Sequence, residues 1–286
     1  MKLYNCPICS INVPVKEHLL PSSIEKDKFY TYLYFPCCDF YKQNPLLSKE
    51  QMNTLYEKDY AVFNQKGMLK LLMKRITKRR VRNFGNLIKN KDILEIGSGT
   101  GEFLHYCKPF DPKSIEGVET SEFAVTIAKQ NYNVNISCST FENFKTEKKY
   151  DVIFMFHVIE HFNDPQFIID KCKNLLNKSG RLIMETPNSA SYESKFYSEY
   201  WPNWSVPFHI FIFSPKSLSG ISLRCGLKVN AIHYSAFSNT YSKLIPFLIK
   251  HKNPLLIPFF VTKFLIKTII SPLYKQSGTM TIEVEK

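Results

Sequence analysis

Residues 92–104 read DILEIGSGTGEFL, an apolar run that carries Glu95 near its end and then breaks into three glycines spaced two apart, Gly97, Gly99 and Gly101. Ile93, Leu94 and Ile96 suit a parallel strand buried on both faces, and the glycines let the backbone turn tightly where any side chain would collide with a ligand. A cofactor is therefore expected against this turn. The pattern E-x-G-x-G-x-G differs from the dinucleotide fingerprint G-x-G-x-x-G, in which the third glycine and a helix N-terminus serve a pyrophosphate. A ligand without phosphates is implied.

A nucleoside pocket needs more than one turn, and the rest follows at βαβ spacing. Ser114–Val118 is a second short strand ending in Glu119, about 20 residues past the glycines, where an acidic side chain bonds ribose hydroxyls. Ser121 caps the helical stretch SEFAVTIAKQN. A third strand, Val134–Ser137, leads into Ser139, Thr140, Phe141 and Glu142, and Tyr150–Phe156 is a nearly unbroken apolar run that opens into HVIEHFNDP.

With these segments in place, the chain resembles the class I S-adenosylmethionine-dependent methyltransferases, in the branch of ubiquinone-type and sugar O-methyltransferases. The likeness runs from about Asn83 to about His233: ILEIGSGTG, GVETS, CSTFENF, YDVIFMFHVIEHFNDP and GRLIMETPN are similar to the family's successive motifs. It implies an α/β fold, a doubly wound Rossmann-like, mostly parallel seven-stranded sheet with an antiparallel last strand. It implies S-adenosylmethionine as cofactor, with Glu95, Gly97, Ser98, Gly99 and Gly101 around the methionine, Glu119 on the ribose, Thr140 and Phe141 beside the adenine, and His157 facing the sulfonium.

At 286 residues and 44% hydrophobic content, the chain can bury a full core with one main domain and appendages. The start MKLYNCPIC has no apolar secretory stretch, and eight cysteines in this length do not read as a disulfide scaffold, so a reducing cytoplasm is expected. A formal charge of +13 favours anionic partners. Its location matters more than its size. Residues 70–82, KLLMKRITKRRVR, read as a basic amphipathic helix, a solvated face or a phosphate-binding one.

Residues 1–48 read as a small module in which Cys6 and Cys9 resemble half of a zinc ribbon, with Cys37 and Cys38 as an irregular second half and His18 as a replacement ligand. A zinc site and four merely buried cysteines both fit that pattern. Residues 49–84 are expected to form a helical cap, 85–240 the core, 241–277 an insertion, and 278–286 the last strand. Within the core, Asp164-Pro165 starts a helix that Ser179-Gly180 ends, and residues 192–207, with Trp201 and Trp204, cover the active site. The insertion is the most hydrophobic part of the chain. Four prolines (Pro246, Pro254, Pro258, Pro272) and Lys263 and Lys267 break it into pieces too short to span a bilayer, and no Asp or Glu occurs from Tyr200 to Ile282. An interfacial helix on a membrane surface is expected, with a packing hairpin or dimer element as the alternative.

Methyl transfer to a hydroxyl needs an in-line nucleophile and a base. His157, Glu160 and His161 follow the fourth strand, with His157 and His161 on one face if the segment is helical, and His209 follows the tryptophan-rich stretch. They suit either a histidine base or a divalent metal of the kind bound by the E-x-x-E-H element of small-RNA 2′-O-methyltransferases, although His157 replaces the first Glu. No D/N/S-P-P-Y/F element of the amino methylases follows Phe156, and no cysteine is placed for carbon methylation. O-methylation of a small-molecule, sugar or lipid-linked acceptor is expected, with an RNA methyltransferase and a noncatalytic cofactor-binding scaffold as the rivals.

Overall fold

The protein, seen in a computed structural model, is described over residues 3–58, 68–235, 261–262, 266 and 277–286. It begins with the hairpin β1 (Leu3–Asn5) and β2 (Asn12–Pro14), followed by β3 (Lys16–Pro21), β4 (Phe29–Phe35) and β5 (Phe40–Gln43). Two helices, α1 (Lys49–Lys58) and α2 (Met68–Asn83), and a single turn, α3 (Gly85–Ile88), lead into the core. There β6 (Asp92–Ile96), α4 (Glu102–Cys107), β7 (Ser114–Glu119), α5 (Glu122–Tyr132), β8 (Asn135–Cys138), β9 (Tyr150–Phe156), α6 (Pro165–Leu175) and β10 (Leu176–Pro187) alternate. The chain closes with α7 (Tyr192–Tyr197), β11 (Phe211–Phe213), α8 (Pro215–Arg224), β12 (Lys228–Ser235) and β13 (Thr279–Glu285).

The central sheet has seven strands in the order β12-β13-β10-β9-β6-β7-β8. Pairings among β6 to β10 are parallel, and β13 inserts antiparallel between β10 and β12. The reason is visible in β6, whose five residues are all buried. Alternate side chains feed opposite layers: Leu94 and Ile96 join Ile153, Met155 and Met184 against α6 and α8, whereas Ile93 joins Val152, Phe154 and Ile183 against α4 and Val81 of α2. This is the doubly wound Rossmann-like architecture expected from the motifs.

One expectation changes. Helix α6 stops at Leu175, and Ser179-Gly180 lies inside β10 rather than ending the helix. Leu176, only 1% exposed, already pairs with Tyr150, and the register breaks before Arg181, so the Ser-Gly pair makes a bulge in a strand that starts earlier. Of the N-terminal strands, β1 and β2 pair only with each other among the described residues, while β3 to β5 share a sheet with a later segment. Their order is β11-β5-β4-β3, so residues 211–213, far along the chain, complete it. The expected membrane-facing helices of residues 241–277 lie outside the described residues apart from 261–262, 266 and 277; among the described residues no helix is long and apolar enough to cross a membrane.

Candidate functional site

The glycine turn follows β6 with all three glycines left-handed, at φ +69° for Gly97, +50° for Gly99 and +76° for Gly101. A methyl group at Gly97 would overlap Val158 Cγ2, and one at Gly101 would meet Val134 Cγ2 at 2.6 Å; at Gly99 it would meet nothing within 4 Å. The outer two glycines thus serve packing, and Gly99 faces open space. Glu119, at the end of β7, accepts from Gly99 N at 2.8 Å through one oxygen and from Thr120 N and Ser121 N at 2.8 and 3.0 Å through the other. Its carboxylate is fixed at the lip of the turn.

Two buried polar atoms beside the turn have no hydrogen-bond partner among the described residues: Glu95 Oε2 and Ser98 Oγ. Burial pushes the Glu95 carboxyl well above its ordinary range, with the Arg80 guanidinium opposing and Glu119 adding to the shift. An orphaned carboxyl, an orphaned hydroxyl and open space over Gly99 fit the ammonium and carboxylate end of a methionine. Of the adenine pair, Thr140 turns the chain, accepting from Phe144 N through its carbonyl, while the Phe141 ring is 3% exposed, near Phe144 and under the Lys171 ammonium. The structure therefore places that ring in the core.

Beyond β9 the segment 157–161 is not an α-helix. His157 sits at φ +57°, and residues 159–161 form a single tight turn, so His157 and His161 do not share a helical face. His157 lies between two carboxylates, with Nδ1 3.4 Å from Glu160 and Nε2 3.4 Å from Glu185. Burial alone would lower its pKa, but the paired carboxylates raise it to about 9. It is an imidazolium at neutral pH, and a cation is no base. Both carboxylates move the opposite way, to about 2: burial opposes the shift, and His157 with the neighbouring imidazoles for Glu160, and Arg80 with His157 for Glu185, overcome it.

Glu160 is fully buried; one oxygen accepts from Thr186 Oγ1 at 3.0 Å and the other, Oε1, is the one that faces His157 Nδ1 at 3.4 Å. His161 Nδ1 lies 2.9 Å from Phe208 O, and His209 Nδ1 lies 2.8 Å from Asn203 O. A carbonyl only accepts, so both Nδ1 atoms carry the proton, and an imidazole so anchored presents a lone pair at Nε2 in its neutral form. Burial, then the field of His161, lowers the His209 pKa to about 3, so that ring stays neutral. The two imidazoles meet edge to face at 4.8 Å between centroids, and His209 Nε2 lies 3.9 Å from Glu160 Oε1. Glu160, His161 and His209 each bring a ligand atom within 4.8 Å of the others. One carboxylate and two imidazoles gathered this closely have the donor set of a cation site, with the His157 imidazolium on the far side of Glu160, and histidines anchored through Nδ1 to carbonyls are the usual outer-shell arrangement of metal ligands.

The four cysteines of the N-terminal segment also converge. Cys6, Cys9, Cys37 and Cys38 bring their sulfurs within 4.8 Å of one another, and Cys9 and Cys37 are 3.6 Å apart. Tetrahedral zinc with Zn–S near 2.3 Å requires sulfurs about 3.8 Å apart, so the donor set fits. Adjacent Cys37 and Cys38 supply two corners because the tight turn between β4 and β5 faces the knuckle closed by Ser10 N to Cys6 O at 2.8 Å. His18 is not among them: its ring packs edge-on to Tyr41 at 5.2 Å, because its strand position faces away.

Several site residues carry no local signal in the sequence. Arg80 leaves the basic helix α2 to pair with Glu185 and lies 4.4 Å over the Phe156 ring, while Thr77 and Val81 are buried, so this helix packs on the core rather than presenting a uniform basic face. Tyr32, fully buried, donates to His209 O at 2.5 Å, and Gln43 N donates to Ile210 O at 2.9 Å. The N-terminal sheet thus holds the backbone that presents His209.

Comparison with known proteins agrees with this fold. Residues 68–232 match the family model described as a methyltransferase domain. The ubiquinone biosynthesis O-methyltransferase of Coxiella burnetii is 28% identical over 171 residues, covering 54% of this chain and 72% of that protein, and the one from Pelagibacter ubique is 24% identical over 178 residues, covering 57% and 73%. A SAM-dependent methyltransferase from Archaeoglobus fulgidus shares the fold with a TM-score of 0.53 at 18% identity, covering 82% of this chain and 99% of that one. The chain belongs to the methyltransferase-domain family and is an S-adenosylmethionine-dependent methyltransferase.

Proposed function

We propose that this enzyme methylates an oxygen atom of a small-molecule, sugar or lipid-linked acceptor, and that Glu160, His161 and His209 hold a divalent cation beside the acceptor hydroxyl. The observation that carries the reading is the convergence of one buried carboxylate and two imidazoles within 4.8 Å of one another. Val158 touches the glycine turn, so this cluster stands next to the cofactor's place. The names of the curated relatives support oxygen as the nucleophile.

In this reading Glu95, Ser98 and the Gly97–Gly101 turn hold the methionine portion, and Glu119 holds the ribose. When bound, the cofactor supplies an electrophilic methyl group, and a divalent cation lowers the pKa of a hydroxyl placed against it. Thr186 fixes one Glu160 oxygen and Asn203 and Phe208 fix the two imidazoles, so the ligand atoms are aligned before any ligand arrives. His157, kept positive by Glu160 and Glu185, ties the site to Arg80 and the cap helix. A metal-free alternative assigns the proton to His161, because His157 is already protonated and His209 is too weak a base.

Residues 1–48 act as a zinc module, 49–84 as the cap, 85–240 with 278–286 as the catalytic core, and 241–277 as the insertion that brings the enzyme to a membrane surface. The support for the last is its run of apolar residues with lysines and no acid. Manganese titration followed by electron paramagnetic resonance tests the cation site whatever the acceptor is. One tight site that disappears in Glu160→Ala supports it; identical binding in both proteins favours the His161 base.

A further inference from the structure

The stretch of backbone that presents His209 has a second face. Residues 199–206 and the loop 21–29 enclose a cleft of about 440 Å³, lined among others by Ser22, Lys28, Tyr200, Trp201 and Trp204. The size falls within the range of small-ligand sites, ~300–1,000 Å³.

Its walls are held from several sides. Ser23 donates to Val206 O through both N and Oγ, at 2.8 and 2.7 Å, and Ser22 N closes the loop on Lys28 O at 2.8 Å. The Glu25 carboxylate accepts from Tyr30 Oη at 2.7 Å and pairs with Lys28 Nζ at 3.0 Å. Trp204 is clamped edge-on between Trp201, at 5.7 Å, and Tyr41, at 4.9 Å, with its Nε1 donating to Ser198 O at 2.8 Å. Trp201, 2% exposed, has an Nε1 with no hydrogen-bond partner among the described residues.

The lining decides the class of occupant. Glu25, Asp27 and Glu199 face Lys26 and Lys28, so the charges nearly cancel and a polyanion such as RNA gains little. A lipid chain would have to desolvate these charges without replacing their hydrogen bonds. A saccharide suits both halves: its C–H faces pack on the exposed rings of Phe29 and Tyr200, which the buried tryptophans back, and its hydroxyls both donate and accept. The cleft also shares its wall with the active site. Ser205 and Val206 line it, while Asn203 O accepts from His209 Nδ1 at 2.8 Å and Ser205 O accepts from His209 N at 3.3 Å.

We infer that this cleft is a saccharide-binding subsite that recognises the glycosyl part of the acceptor, an assignment that rests on the O-methyltransferase reading above. A sugar seated there bears on the segment that aligns His209, so acceptor recognition and alignment of the reacting centre share one backbone.

Both tryptophans of the chain, Trp201 and Trp204, border the cleft, so intrinsic tryptophan emission reads it directly. The probes are maltose, cellobiose and N,N′-diacetylchitobiose, with inorganic phosphate and 1-octanol as controls. At least one disaccharide should change the emission saturably and the controls should not. Tyr200→Ala, at a side chain 41% exposed, should weaken that response at least tenfold, and Tyr200→Phe should restore it, with S-adenosylmethionine affinity unchanged in both. No response to any disaccharide, or a response to octanol or phosphate instead, overturns the assignment. Saturable sugar binding in a protein that transfers no methyl group to any hydroxyl would sink the O-methyltransferase reading and leave the cleft standing.

Discussion

Replacing Gly99 with alanine separates what the glycine turn does for folding from what it does for binding. All three glycines are left-handed, a conformation that costs an L-residue roughly 1–2 kcal/mol. At Gly99 that is the whole structural cost, since the added methyl meets nothing within 4 Å; melting should drop by only a few degrees. The methyl does stand in the space assigned to the methionine end of the cofactor. Crowding a packed contact by one methyl costs about 1–3 kcal/mol, or roughly 5- to 150-fold in Kd. Gly97→Ala carries the same backbone strain and also drives its methyl into Val158 Cγ2, so its damage should appear chiefly as lost stability. Differential scanning fluorimetry and calorimetric titration with S-adenosylmethionine, run on both variants, distinguish the two. Unchanged affinity in Gly99→Ala, or a loss of stability there as large as in Gly97→Ala, would refute the assignment of Gly99 to the ligand face.

Elemental analysis of protein purified without chelator should find about one zinc per chain, lost in a Cys9→Ser, Cys37→Ser double variant; wild-type protein free of zinc would leave the four cysteines as buried apolar groups. Tyr32→Phe removes the bond to His209 O and should cost about 0.5–1.5 kcal/mol of stability, with kcat lowered and cofactor affinity intact; an unchanged kcat would disconnect the N-terminal sheet from the site. His157 is raised from 6.5 to about 9, so its stabilising contribution is fully present below pH 6.5 and is lost as pH rises through about 9. Chemical denaturation between those limits should therefore fall more steeply with pH for the wild type than for His157→Gln, and parallel slopes would show that the imidazolium contributes nothing. The insertion should float the protein with anionic vesicles, each lysine near the headgroups adding about 1 kcal/mol; no flotation would assign it to packing.

The parts of the structure that depend on local pattern are legible in the sequence. The strand and turn around Gly97–Gly101 and the position of Glu119 follow from periodicity, glycine chemistry and spacing, and the antiparallel entry of Thr279–Glu285 follows from the family resemblance. What escapes the sequence depends on contacts between distant segments. Arg80 meets Glu185 across 105 residues and Tyr32 meets His209 across 177, and neither pair has a short-range signature. Spacing alone puts His157 beside His161 on a helical face, but the positive φ at His157 turns it toward Glu185, and His209 takes the place next to His161. Ser179-Gly180 reads as a helix stop because a Ser-Gly pair marks a break in backbone regularity without saying whether a helix or a strand is interrupted.

The central claim is transfer of the cofactor's methyl group to oxygen. Incubating the enzyme with S-adenosylmethionine bearing a carbon-13 methyl group, against lipid and soluble pools of a cell extract kept separate, and reading products by proton–carbon correlation NMR, tests it without the acceptor having to be identified first. A new methyl signal at the chemical shift of a methyl ether, absent in Glu160→Ala protein that still binds the cofactor, is the expected result. A signal at an N-methyl or S-methyl position, or no labelled product from either pool, would contradict it.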